Sequence, residues 1–222
     1  MPPSTTLLTT IFRLSYFVLP PSPSPLNNLK QCLHFDPDSK PCLALRRQLK
    51  SLDRSFAQLE VLEQSENWSG VVKLLTAKGT GKGEFLNQYE DALREHTARE
   101  KVLPPQLAHR KQVPEIPLPD VMRVSHGRQV LVRALCKAHV QMGTMREAER
   151  WCEELLGMRG CENDAEGLIG RAEALIKKEE YEQAKRVLEK AFEETGRRRD
   201  VRTFSWSFRL WHPVLMFVFF FR

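Results

Sequence analysis

The stretch EAERWCEELL, Glu147 to Leu156, has two counterparts in the same chain: EQAKRVLEKA, Glu182 to Ala191, and SGVVKLL, Ser69 to Leu75. A large residue stands just ahead of each: Met145, Tyr181 or Trp68. Three positions after it comes a smaller apolar residue, Ala148, Ala184 or Val71, and four beyond that Cys152, Leu188 or Leu75. Residues at i, i+3 and i+7 share one face of an α-helix, so each window predicts a helix with a buried stripe. Ala148 and Ala184 lie 36 residues apart.

Two of these windows follow a partner helix. QVLVRALCKAH, Gln129 to His139, leads to a turn at Gly143, and AEGLIGRAEALIKK, Ala165 to Lys178, leads to a turn at Glu179-Glu180. Cys136 stands twelve residues before Ala148 and Ala172 twelve before Ala184. Small side chains thus fall where paired helix axes approach within about 8–10 Å. Hairpins of two helices at an interval close to ~34 residues are the tetratricopeptide pattern. The expected fold is all-α: a tetratricopeptide-repeat helical-hairpin solenoid wound as a right-handed superhelix, with disordered or irregular ends.

Working outward, LKQCLHF, Leu29 to Phe35, reads as the end of a second helix. Asp36-Pro37 stops it, because the residue before proline is pushed out of the helical region. Asp38-Ser39 is expected to cap a long following helix from Lys40, with Leu45, Leu49, Leu52, Phe56, Leu59 and Leu62 on its apolar face. The chain therefore reads as starting inside a repeat, with earlier repeats absent from this sequence. Between Ala77 and Val121 the pattern lapses into a charged helix in GEFLNQYEDALREHTAREK, Gly83 to Lys101, and a linker, VLPPQLAHRKQVPEIPLPD, with five prolines. The expected divisions are an unstructured or signal-like segment at 1–25, a helix end plus a long-helix hairpin at 26–77, an insertion at 78–120, repeats at 121–160 and 161–196, and an aromatic tail outside the fold at 197–222.

Net charge is +6, with 41% hydrophobic and 28% charged residues. Acids and bases interleave as on solvated helix faces. The dense basic run Arg197 to Arg199 is short and no nucleic-acid motif accompanies it, so nucleic acid is not an expected partner. The terminal apolar run Val214 to Phe221 is far below the ~20 residues of a membrane span. KGTGKGE, Lys78 to Glu84, imitates a phosphate loop, but Thr76 stands where the first glycine is needed and Gly83 where a serine or threonine should follow Lys82. CLHFDPDSKPC, Cys32 to Cys42, is rich in ligand types without zinc spacing. No catalytic residue, metal or cofactor is expected.

Five cysteines carry the remaining information. Cys136 and Cys152 lie eight residues either side of Thr144, and Cys32 and Cys42 five either side of Pro37. Residues equidistant from an antiparallel turn come level, which allows two disulfides with Cys161 left over. Each would add about 3 kcal/mol in the chain-entropy picture and would imply an oxidising compartment. Equally, all five read as small buried residues in a reducing one.

LKQCLHFDPDSKPC, the Cys136–Cys152 spacing around EAERWCEEL, and GRAEALIKKEEYEQAKRVLEKAFE resemble the lumenal co-chaperones of the endoplasmic reticulum that join tetratricopeptide repeats to a J-domain, the DnaJ subfamily C kinase-inhibitor group and its fungal counterparts. The resemblance covers roughly Leu26 to Thr195. It implies the pairs Cys32–Cys42 and Cys136–Cys152, a lumenal location, binding of unfolded clients, and transfer to a BiP-type chaperone. It also implies a following J-domain. His212-Pro213 imitates the His-Pro-Asp signature, but Val214 replaces the aspartate, so the chain reads as a fragment without that part. Clients are expected in a groove lined by first helices, with Arg133, Lys137, Ile169 and Glu173 as candidate positions. No asparagine stands at Arg133, Ala134, Lys137, Ile169, Gly170 or Glu173, against a clamp for acidic C-termini. The alternative is a cytosolic tetratricopeptide scaffold for one folded partner.

Overall fold

The structure is a computed structural model that describes residues 5–19, 24–76, 84–98 and 120–197. Among them are ten helices and no strand: α1 (Thr5–Phe17), α2 (Ser24–Phe35), α3 (Lys40–Gln64), α4 (Trp68–Thr76), α5 (Phe85–Thr97), α6 (Val121–Val124), α7 (His126–Gln141), α8 (Met145–Leu156), α9 (Ala165–Lys177) and α10 (Tyr181–Arg197). The fold is the all-α helical repeat expected. The phosphate-loop imitation through Gly83, the Pro-rich linker up to Pro119 and the aromatic tail from Arg198 lie outside the described residues.

The three hairpins α3–α4, α7–α8 and α9–α10 turn in the same way. Glu66, Gly143 and Glu179, each two residues before the next helix opens, have φ of 55°, 70° and 64°. The following amides, of Asn67, Thr144 and Glu180, reach back to Leu62 O, His139 O and Leu175 O at 2.9–3.0 Å. This is the 6→1 bond of a Schellman ending, which satisfies a carbonyl the helix leaves over. Asp120, Ser125 and Asp164 cap α6, α7 and α9 by accepting backbone N–H bonds. Ser39 stands at the cap position of α3, but its hydroxyl makes no capping bond; the expected Asp38-Ser39 cap is replaced by Pro41, already shaped for a first turn.

Packing follows the repeat stripe. Val71, Ala148 and Ala184 are buried, as are Leu75 and Cys152, and Cys136 and Ala172 are buried on the partner helices. Leu188 is only half-buried and Tyr181 is exposed, because α9 is the helix against which α10 packs.

Two expectations need correction. The segment 1–25, expected to be unstructured, contains α1 and the start of α2. Leu8 and Phe12 join Leu29, Cys32, Cys42, Leu45 and Leu49 in one core. Arg13 interrupts the apolar run in sequence, but it lies off the buried face that Leu8, Phe12 and Ser15 share on α1. Thr9, Thr10 and Ser15 bond their hydroxyls to carbonyls one turn back, which lets these weak helix formers stay in register. The second correction is α5. Read as part of an insertion, it supplies Phe85, Leu86, Tyr89, Ala92 and Leu93 to the largest core, with Leu52 and Leu59 of α3, Val71 and Leu75 of α4, and Leu131 and Leu135 of α7.

Candidate functional site

Cys32 of α2 is bonded to Cys42 of α3, and Cys136 of α7 to Cys152 of α8, with Cα separations of 6.4 and 4.8 Å. All four are fully buried. Cys161 belongs to neither bond and packs with Val132, Leu155 and Met158 beside the second one. His34, Asp36 and Asp38 are left exposed around the first bond. Among the described residues no three histidine, cysteine or acidic side chains are placed to share a metal ion. No helix of the described residues is long and apolar enough to cross a membrane.

The first helices α7 and α9 carry the groove candidates. Arg133 donates from Nε and Nη2 to Oδ2 of Asp164, at 3.1 and 2.7 Å. The other oxygen of Asp164 accepts Gly167 N at 3.2 Å, so one carboxylate both caps α9 and fixes Arg133. One turn on, Lys137 Nζ lies 3.5 Å from Glu166 and 5.5 Å from the ring centre of Trp68. Ile169 is half-buried on α9. Glu173, one further turn along, is half-buried, and burial pushes its carboxyl pKa up against the pull of Lys177. The structure thus joins Arg133, Lys137 and the start of α9 in one strip; Glu173 lies beyond the ion pairs on the face that Glu166 and Ile169 share by helical spacing.

Three participants were not foreseen. Glu63 of α3 is half-buried, and burial raises its pKa, with Lys137 and Arg133 opposing the shift and Glu166 and Glu60 adding to it. It therefore closes the strip on the α3 side. Trp68 read only as a repeat marker, yet its ring carries Lys137. The sequence reading gives Asp164 no role, though an aspartate directly before an apolar helical stretch is an available cap signal.

Gly170 sits beside these positions for another reason. A Cβ there would fall 2.4 Å from Cys152 Sγ and 2.9 Å from Val140 Cγ2. The glycine lets α9 close onto the second disulfide, so Ile169 and Glu173 are held at a fixed depth. Behind the strip, Arg128 is buried and donates to Glu90 of α5 at 2.7 Å, Glu154 of α8 at 2.8 Å and the Met122 carbonyl at 3.2 Å. A cleft of about 460 Å³ elsewhere is lined by Arg123, Arg146, Arg150, Glu149, Glu153 and Glu154, a set of balanced charge.

These hairpins, with a strip of ion pairs along α7 and α9 and a tryptophan at the start of α4, define a class: an all-α tetratricopeptide-type repeat protein. Comparison with known proteins is narrower. Over 201 residues, 90% of its length, the chain is 35% identical to the tetratricopeptide repeat and J domain-containing co-chaperone DNJ1 of Cryptococcus neoformans. It is 31% identical over 203 residues to the protein of that name from Mycosarcoma maydis, and 27% identical over 183 residues to that of Fusarium oxysporum. It spans 36%, 33% and 30% of those three proteins, so about a third of their length. No family model matches the chain. No solved structure matches it either. The likeness is to proteins named as tetratricopeptide co-chaperones, in line with the non-catalytic repeat reading of the sequence.

Proposed function

We propose that this chain is a polypeptide-binding repeat module of a co-chaperone of the endoplasmic reticulum lumen, holding unfolded segments in the strip along α3, α7 and α9. In longer relatives a J-domain would pass those segments to a BiP-type chaperone. The observation that carries the reading is the similarity over 90% of the chain to co-chaperones whose names join these repeats to a J-domain. Two buried cysteine pairs support an oxidising compartment, where such bonds persist.

The holding role is tested by diluting guanidine-unfolded citrate synthase into buffer with the chain and following light scattering. Suppression near equimolar chain is expected; aggregation unchanged in excess chain would end the proposal. The compartment is tested by titrating thiols in the chain unfolded without reductant. One reactive thiol per chain is expected, from Cys161. Reaction of all five cysteines in chain isolated from its native cells would point to the scaffold in a reducing compartment instead.

A further inference from the structure

The strip has a charge pattern that selects among unfolded segments. Its two strongest cations are already committed. Arg133 is held from Nε and Nη2 by one oxygen of Asp164, whose other oxygen caps α9, so much of its charge is already compensated. Lys137 is shared between Glu166 and the Trp68 ring. The carboxylates are differently placed. Among the described residues neither Glu63 nor Glu173 forms an ion pair, and both are half-buried. Partial burial raises the pKa of each against the pull of Lys137 and Arg133 on Glu63 and of Lys177 on Glu173, so an arriving ammonium or guanidinium would stabilise both carboxylates further. Ile169, one turn before Glu173 on α9, and the half-buried Trp68 ring beside Lys137 add apolar surface to the strip.

Resting on the groove reading above, we infer that the strip formed by Glu63, Arg133, Lys137, Glu166, Ile169 and Glu173 prefers extended polypeptide in which lysine or arginine alternates with apolar residues, and disfavours acidic segments. Cationic side chains of the client meet Glu63 and Glu173, while its apolar residues lie against Ile169 and Trp68. Acidic clients meet carboxylates and find the cations occupied. This is opposite in sign to a clamp for acidic C-termini.

The test uses the full chain and three labelled peptides of equal length and apolar content, carrying lysine, glutamine or glutamate at the polar positions, with binding read by fluorescence anisotropy. At low salt the lysine peptide should bind about three- to tenfold more tightly than the glutamate peptide, and the gap should close at high salt, as for exposed charge pairs. Combining Glu63→Gln with Glu173→Gln should remove the gap between the lysine and glutamate peptides. Equal binding of lysine and glutamate peptides, or a gap that survives the double substitution, overturns the inference but leaves the groove. If none of the three peptides binds, the groove reading fails and the inference goes with it.

Discussion

Glu179 shows what the repeat asks of a single residue. It occupies the same left-handed turn position as Gly143, at φ 64° against 70°, although a side chain there crowds the backbone. That conformation costs a non-glycine residue about 1–2 kcal/mol, partly returned by glycine's greater freedom when unfolded. Glu179→Gly should therefore raise unfolding free energy by about 0.5–1 kcal/mol with an unchanged urea m-value, and Gly143→Ala should lower it by a similar amount. Glu173 makes a second residue-scale case. Because burial raises its pKa, it binds a proton more readily folded than unfolded, so its charge opposes folding at neutral pH. The deficit is absent below the unfolded carboxylate pKa and develops as pH rises through the folded one. Glu173→Gln should thus raise the melting temperature at pH 7, and the gain should shrink towards zero below about pH 4.

Helices pose the question of what sequence reading could see. The hairpins were legible because Val71, Ala148 and Ala184 each sit in the same helical stripe, with Ala148 and Ala184 one repeat of 36 residues apart, and periodicity is a local property. The role of α5 was not. Its glutamates, aspartate and arginine read as a charged helix, and nothing local says that Phe85, Tyr89 and Leu93 on its other face close a core made with α3, α4 and α7. Arg128 was equally hidden, since its partners are 26 and 38 residues away. Removing it takes the short, buried pair from Glu90 and leaves only the longer contact with the exposed Arg94 at 3.4 Å, so Arg128→Met should cost about 3 kcal/mol. Arg128→Lys should restore little, because an ammonium cannot reach Glu90, Glu154 and the Met122 carbonyl together. Thermal denaturation of the three proteins at equal ionic strength checks the order. Gly170 belongs to this scale too: among the groove positions it looked like one more surface site, whereas it is the contact through which α9 docks on the Cys136–Cys152 bond. Overpacking by Gly170→Ala should cost about 1–3 kcal/mol, read by urea unfolding.

At the scale of the whole molecule, the question is whether the amino-terminal hairpin is an appendage or part of one cooperative unit. Stacked repeats ordinarily feel only their neighbours, and α1 comes first in the chain. Yet its end is tied far along the sequence. Phe17 packs on Tyr89 and His96 of α5, and its carbonyl accepts the Ser125 hydroxyl at 2.6 Å, across 108 residues; Ser125 in turn caps α7. Tyr89 completes the joint, its hydroxyl 3.2 Å from that of Ser125 and seated where a Cβ on Gly127 would collide with it. Loosening Phe17 therefore disturbs the first turn of α7, on which α4, α8 and α9 all pack. Phe17→Ala should lower global stability by about 3–4 kcal/mol, the range for deleting a buried phenyl ring. Under native-state hydrogen exchange, amides of Leu135 in α7 and Leu155 in α8 should then accelerate by the same factor as that of Leu93 in α5. Acceleration confined to α1 and α2, with α7 and α8 protected as before, would show the hairpin opening alone and would refute the joint at Ser125.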